Sequence, residues 1–299
     1  MPELSPAPDA AMALFRVPTG DRFDLVDRAT APPPGSAPRA LKRALSQECA
    51  RIDDLQRRLY AEHRRALLLI FQGMDAAGKD STIRKVFRKV DPAGISVHAF
   101  KQPSTEELDH DFLWRTTRRL PRRGHIGVFN RSYYEELLIV RVHPQLLEHQ
   151  QLPPDIDRER LWAEREESIR AHECHLARNG TRVLKFWLHV SPEVQRDRFM
   201  ARLEHPDKHH KFSLRDVEER QHWPAYQQAA SRMLAATSRE CAPWFVIPAD
   251  DKPYMRLSVA RVVAAELQRM NPQFPPAPLD DPAALAQARR LLERSPRAT

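Results

Sequence analysis

Gly73-Met-Asp75-Ala-Ala-Gly78-Lys79 places two glycines and a lysine at the spacing G-x-x-x-x-G-K. The chemistry this spacing suits is the capture of a phosphate. Glycines let the backbone close tightly, so that its N–H groups surround the anion. The N-terminus of a following helix adds partial positive charge, and the lysine reaches the outer oxygens. Gly73, Met74, Ala76, Ala77 and Gly78 are therefore candidate phosphate and nucleotide contacts, with Lys79 as a catalytic cation. Two acids depart from the common pattern. The residue after the lysine usually offers a hydroxyl to Mg2+, but here it is Asp80, and the hydroxyl comes one place later at Ser81. Asp75 lies inside the loop itself. A carboxylate there repels phosphate unless a cation intervenes, so Asp75 is assigned to catalysis and to a metal, Mg2+ or alternatively Mn2+. Asp80 has two readings: a ligand-facing acid, or an anion that suits the start of a helix.

A second candidate segment is Asn130-Arg131-Ser-Tyr-Tyr-Glu135-Glu136. In phosphate-loop enzymes a neighbouring strand usually ends in a carboxylate that serves Mg2+. Asn130 supplies no charge, though it can orient a metal-bound water or a phosphate. Arg131 is suited to stabilising charge on a transferring phosphoryl group. Glu135 is a nucleotide-facing candidate, whereas Glu136 reads as a surface acid opening a helix.

Cations gather in two further places. Arg84, Lys85 and Arg88, with Lys89, lie on the helix expected after the loop. They form either a solvated face or a stripe leading a polyanion away from the site, and binding to such a stripe weakens with salt. Arg198, Arg202, Lys208 and Lys211 follow a helix start at Ser191-Pro192-Glu193. The break at His205-Pro206-Asp207 predicts two helices joined by a hinge. His172, Cys174 and His175 crowd together, but Cys174 falls on another helical face and no second ligand cluster accompanies them, so no zinc site is assigned.

The elements that position these residues are legible from periodicity. A helical pattern from Ala40 to His63 gives way to the apolar run Ala66–Phe71, and similar runs recur at 95–100, 125–129, 181–190 and 244–247. Such runs read as buried strands. Helical stretches separate them, and Ser104-Thr-Glu-Glu107 has the form of a capping box. Strands alternating with helices predict a parallel sheet covered on both faces. Residues 1–38, rich in proline, read as an extended N-terminal arm. Residues 39–271 read as the kinase-like domain, and 272–299 as an appendage with a short basic helix.

Bulk properties exclude little else. No apolar run approaches the ~20 residues that cross a bilayer, and the first residues lack a secretory pattern. Cys49, Cys174 and Cys241 are scattered, which predicts a reducing, cytoplasmic setting and no disulfide framework. The net charge of +8 fits either a polyanionic partner or a solvated basic surface.

Several segments together resemble the polyphosphate kinases of family 2. They are Gly73–Asp80, Phe100-Lys101-Gln-Pro103, Phe129–Glu135, Pro206–Phe212 and Trp244–Asp250. The resemblance implies a three-layer α/β/α P-loop kinase fold with a central parallel sheet, similar to thymidylate kinase, and a helical lid at about 191–229. It implies Mg2+-dependent, reversible transfer between inorganic polyphosphate and nucleoside mono- or diphosphates, with Lys101 joining the polyphosphate-facing cations. Asn130 and Glu135 resemble the class III pattern, which accepts both AMP and ADP. A homo-oligomer, dimer or tetramer, is implied as well. Two other readings stay open: an ATP-using small-molecule kinase of the same fold, and a basic nucleic-acid-binding protein with an accessory ATPase. No aromatic-basic ribbon or recognition helix supports the last, so neither nucleic acid nor membrane is expected as a partner.

Overall fold

The computed structural model describes residues 8–20, 22–35, 37–276 and 282–294, and for residues 8, 9, 11, 38, 208, 210 and 211 it describes the backbone alone. Five strands form one sheet: β1 (Ala66–Gln72), β2 (Ile95–Ala99), β3 (Ile126–Asn130), β4 (Thr181–His189) and β5 (Trp244–Pro248). All neighbours run parallel in the order β2-β3-β1-β4-β5. β1, β3 and β5 are buried along their whole length, as unbroken apolar runs require when helices cover both faces.

The helices are α1 (Pro8–Phe15), α2 (Pro38–Glu62), α3 (Lys79–Val86), the one-turn α4 (Thr105–Leu108), α5 (Trp114–Thr117) and α6 (Ile139–Val142), then α7 (Leu161–Arg178), α8 (Pro192–Glu204), α9 (Leu214–Glu218), α10 (Trp223–Thr237), α11 (Lys252–Met270) and α12 (Pro282–Arg294). One layer gathers α1, α2 and α3 around α11, and the other joins α7, α10 and α6. α11 is buried nearly all round, with Met255, Leu257, Val259, Val262 and Val263 sealed, because it lies between the sheet and α2. The three-layer architecture expected from the alternation of runs is the one observed.

The N-terminal segment differs from the expected extended arm. Residues 8–15 are helical, and Met12, Phe15, Val17 and Leu25 are buried. Arg16 pairs antiparallel with Phe245, and Val17 N donates to Trp244 O at 2.9 Å. The segment thus caps the open edge of β5, which otherwise presents unpaired backbone groups. A proline-rich composition hid the four apolar residues that carry this contact. Residues 1–7, 21 and 36 of that segment, and 277–281 and 295–299 of the expected appendage, lie outside the described residues.

The cysteines also depart from expectation. Cys174 on α7 and Cys241 before β5 form a disulfide with their Cα atoms 5.7 Å apart, while Cys49 is free and buried. Separation in sequence concealed a pair that the sheet order brings together, and the bond removes the cysteine-based ground for a reducing compartment.

Candidate active site

Parallel order puts the C-terminal ends of β1 and β3 side by side, with Phe71 opposite Asn130. The chain leaves β1 for one side of the sheet and later returns to the other, so a crevice forms at this point. The phosphate loop fills it. Gly73 has φ +147, and a Cβ there would meet Leu188 O at 2.8 Å, so neither the conformation nor the space admits a side chain. Gly78, at φ +107, turns the chain into α3. Ala76 (φ 59) and Arg131 (φ 63) hold left-handed conformations that cost non-glycine residues energy. Strain of this kind persists where surrounding contacts enforce it, often at functional sites.

The enforcing contacts are visible. Arg131 N donates to Phe71 O at 3.0 Å. The Arg131 guanidinium reaches Asp75 Oδ1 at 2.6 Å and Glu135 Oε2 at 3.4 Å. Glu135 first, and Asp75 after it, hold Arg131 firmly in its charged form against the effect of burial. Glu135 also accepts from Gln72 Nε2 at 2.8 Å. Lys79 is buried and donates to Gly73 O at 2.7 Å and Met74 O at 3.2 Å. Burial, and then Arg131, lower its pKa, opposed by Asp75, Glu135 and Asp80. Asn130 Nδ2 donates to Asp80 Oδ1 at 3.0 Å, and Ser81 Oγ donates to Gly78 O at 3.1 Å.

Asp75, Lys79, Asp80, Asn130, Arg131 and Glu135 are therefore brought together. The lid candidates divide. Arg198 is no lid cation: its guanidinium donates to Ala76 O, Ala77 O, Ala249 O and Asp250 O at 2.6–3.1 Å. The four backbone carbonyls occupy both terminal nitrogens of the guanidinium, so it clamps the phosphate loop to the end of β5. Arg202 faces Asp216 at 3.8 Å, and the side chains of Lys208 and Lys211 lie outside the described ones. Lys101 lines a cavity beside Asp75 and Arg131 rather than the lid. Arg84 and Lys85 are exposed on α3, but the helix ends at Val86, so Arg88, expected on it, is exposed in the turn that follows.

That cavity, about 560 Å3, is lined by Asp75, Arg131 and Glu135 and also by the apolar Leu108, Phe112, Val140 and Leu146. Asp216 and Glu219 from the lid complete its wall. Burial, and then the nearby Asp75, raise the pKa of Asp216. Glu136, expected on the surface, is 8% exposed and takes an Arg165 hydrogen bond at 2.5 Å. The short segment after Ser132 coils as a 3-10 turn rather than an α-helix, which swings Glu136 inward.

Sequence reading missed four contributors. Gln72 carries a polar group at the end of an apolar strand directly before Gly73, and that oddity was the available signal. Gln195 Nε2 donates to Asp75 O at 2.9 Å, and Arg220 holds Gln195 in turn at 2.5 Å. Asp216 sits in the lid, where Ser213-Leu-Arg-Asp216 reads in sequence as a helix-opening cap and not as part of a site; Ser213 makes no side-chain cap bond there. Arg256 reaches Ser81 Oγ at 3.4 Å from α11 and extends the basic stripe of Arg84.

Beneath the site lies a buried network. Tyr133 and Tyr134 hydroxyls donate to Glu173 Oε1 at 2.9 and 2.8 Å, and Lys185 Nζ donates to Glu173 Oε2, the Tyr134 hydroxyl and Thr237 O. It ties the segment carrying Arg131 to α7 and β4. Burial lowers the Lys185 pKa to about 8 despite Glu173.

Among the described residues no three His, Cys, Asp or Glu side chains are gathered to hold a metal. Mg2+ is commonly bound by only one or two carboxylates together with substrate phosphates. The donor set around Asp75 fits that arrangement and not a protein-caged metal.

A family profile described as Polyphosphate kinase 2 (PPK2) matches residues 36–275. A Rhodopseudomonas palustris protein named ADP-polyphosphate phosphotransferase is 49% identical over 263 residues, 87% of this chain and 91% of that one. A Meiothermus ruber protein named AMP/ADP-polyphosphate phosphotransferase is 39% identical over 268 residues, covering 88% and 96%. The crystal structure of Polyphosphate Kinase 2 from Arthrobacter aurescens TC1 superposes with a TM-score of 0.87 at 35% identity, covering 98% of this chain and 99% of that one.

Proposed function

The chain belongs to the polyphosphate kinase 2 family, and we propose that it transfers phosphoryl groups reversibly between inorganic polyphosphate and AMP or ADP. One observation carries the reading. The Asp75–Arg131 pair, at 2.6 Å, stands where the phosphate loop meets the nucleotide-sized cavity. Donor and acceptor phosphates meet at that junction.

The roles follow from the geometry. Backbone N–H groups of the loop and the N-terminus of α3 hold the phosphate, with Lys79 beneath. Arg131, kept charged by Glu135 and Asp75, neutralises charge that spreads over the transferring oxygens in a loose transition state. Asp75 is the residue that would hold Mg2+ (or Mn2+), an ion that supplies further neutralisation between donor and acceptor. Arg84, Lys85, Arg88 and Arg256 offer a continuous basic stripe for a long polyanion. The lid segment carrying Asp216 and Glu219 shields the cavity from water, the competing acceptor.

Asn130 and Glu135 favour use of both AMP and ADP, and the two relatives' names divide on that point. Both bonds exchanged are phosphoanhydrides, which supports reversibility. The test is a donor–acceptor matrix of polyphosphate or ATP against AMP, ADP, GMP and GDP, with and without Mg2+. ATP from ADP and polyphosphate alone is expected. Turnover with ATP and an organic acceptor, indifferent to polyphosphate, would replace the reading. A homo-oligomer is part of the same proposal, tested by light scattering on the eluted protein. No helix among the described residues is long and apolar enough to cross a membrane.

A further inference from the structure

Glu136 is the least expected residue of the cavity. Its carboxylate Oε2 accepts from Arg165 at 2.5 Å and from Gln150 Nε2 at 2.8 Å. Gln150 Oε1 accepts from Arg165 at 2.6 Å, so the Gln150 amide has only one orientation that satisfies both bonds. Arg165 is 4% exposed and lies over the Phe112 and Trp162 rings at 5.3 and 5.7 Å. The three side chains thus form a fixed wall. Glu136 and Gln150 line both the 560 Å3 cavity and a smaller one of about 250 Å3.

The second carboxylate oxygen, Oε1, accepts no hydrogen bond among the described residues, yet it is not sealed. The side chain keeps 11% exposure, which opens onto the cavities it lines. An anionic acceptor held rigidly in the wall of a cavity seeks a hydrogen-bond donor, because leaving it unpaired is costly. Asp75, Arg131 and Glu135 line the same cavity, and its apolar residues Leu108, Phe112, Val140 and Leu146 suit the flat face of a base.

We propose that Glu136 is a base-reading residue: its Oε1 accepts from the 6-amino group of adenine, with Gln150 and Arg165 fixing its position. This rests on the nucleotide phosphotransfer reading above. The acceptor class is then adenine nucleotides over 6-oxopurine nucleotides, whose O6 sets a second acceptor where the 6-amino group donates. Hypoxanthine is the matched control, a purine of the same size without that group.

The experiment compares kcat/KM for ADP, GDP and inosine diphosphate with polyphosphate as donor, in the wild type and in Glu136→Gln. Glutamine suits the test because its carbonyl oxygen can stay toward Arg165 and Gln150 while its amide donor turns toward the base. The wild type is expected to prefer ADP over both GDP and inosine diphosphate by about 10-fold or more, the scale of one well-made polar contact. E136Q should narrow or reverse both ratios. Each ratio is internal to one sample, so partial unfolding cancels. Wild-type ratios within twofold, or ratios unchanged in E136Q, overturn the proposal. If E136Q does not fold, the wild-type ratios decide. Absence of turnover with every nucleotide instead overturns the phosphotransfer reading, and this proposal with it.

Discussion

Asn130 Nδ2 donates to Asp80 Oδ1 at 3.0 Å, so two of the three positions that depart from the usual phosphate-site pattern are partners. The acid after the lysine and the amide at the end of β3 form one bond between α3 and the sheet. Replacing the amide by a carboxylate sets two like charges at hydrogen-bond distance, which a cation can relieve. Asn130→Asp should lower the half-saturating Mg2+ concentration and reduce thermal stability in EDTA. A magnesium titration and melting curves check both. Unchanged values in each would remove the pair from the metal argument.

Asp75→Asn and Lys79→Ala should each lower kcat by about 100-fold or more, the scale of losing one preorganised charge at a reacting group. Asp75→Asn leaves Glu135 as the direct ion-pair partner of Arg131, with Asp216 acting from farther off. Cooperative unfolding should survive in both variants. Activity within tenfold of the wild type in either one would displace that residue from the catalytic set.

Glu135 accepts from Gln72 and from Arg131, so it positions a catalytic cation as well as facing the cavity. Glu135→Asn should reduce kcat/KM for AMP more than for ADP. Equal losses would leave Glu135 with the positioning role only.

Arg198 contacts four carbonyls, two of them in the phosphate loop. Arg198→Met should cost about 1–3 kcal/mol of stability and lower kcat through a loosened loop. A cation that merely binds polyphosphate behaves differently, raising KM for the polymer with little change in melting. That second pattern would return Arg198 to the lid.

The Tyr133 hydroxyl is buried and donates to Glu173, and burial first, then Glu173, raise its pKa well above 10. A raised folded-state pKa contributes stability that is present below the unfolded value, ~10, and lost as pH rises toward the folded value. Lys185 acts oppositely: its depressed pKa, about 8, adds stability as pH rises from there toward the unfolded ~10.4. Above pH 10 the wild type should therefore lose stability with pH more steeply than Tyr133→Phe. Denaturant melts at pH 10, 10.5 and 11 measure the slopes, and parallel slopes would count against the assignment.

Much of the site was legible because it is local. The loop glycines, Lys79, Asp75, Asn130 and Arg131 all sit at strand ends, where spacing and apolar runs identify them. The Ser104–Glu107 capping box and the Ser191 cap are present as their local patterns require. Glu136, Arg198 and Asp216 were misread or missed for a common reason. Each is a charged residue whose role depends on what another part of the chain brings to it.

By itself the sequence determined the strand-loop-helix unit, the parallel sheet and the chemistry of a phosphate site. Backbone sterics and a short apolar period act over a few residues and leave a local record. Only the tertiary structure decided that Asp80 pairs with Asn130, that Cys174 meets Cys241, and that residues 8–17 cap β5. It alone turned Glu136 into a cavity wall and Arg198 into a loop clamp. A charge on a helix or turn looks the same in sequence whether it faces water or a partner. Burial and partner choice are settled by packing between segments far apart in the chain.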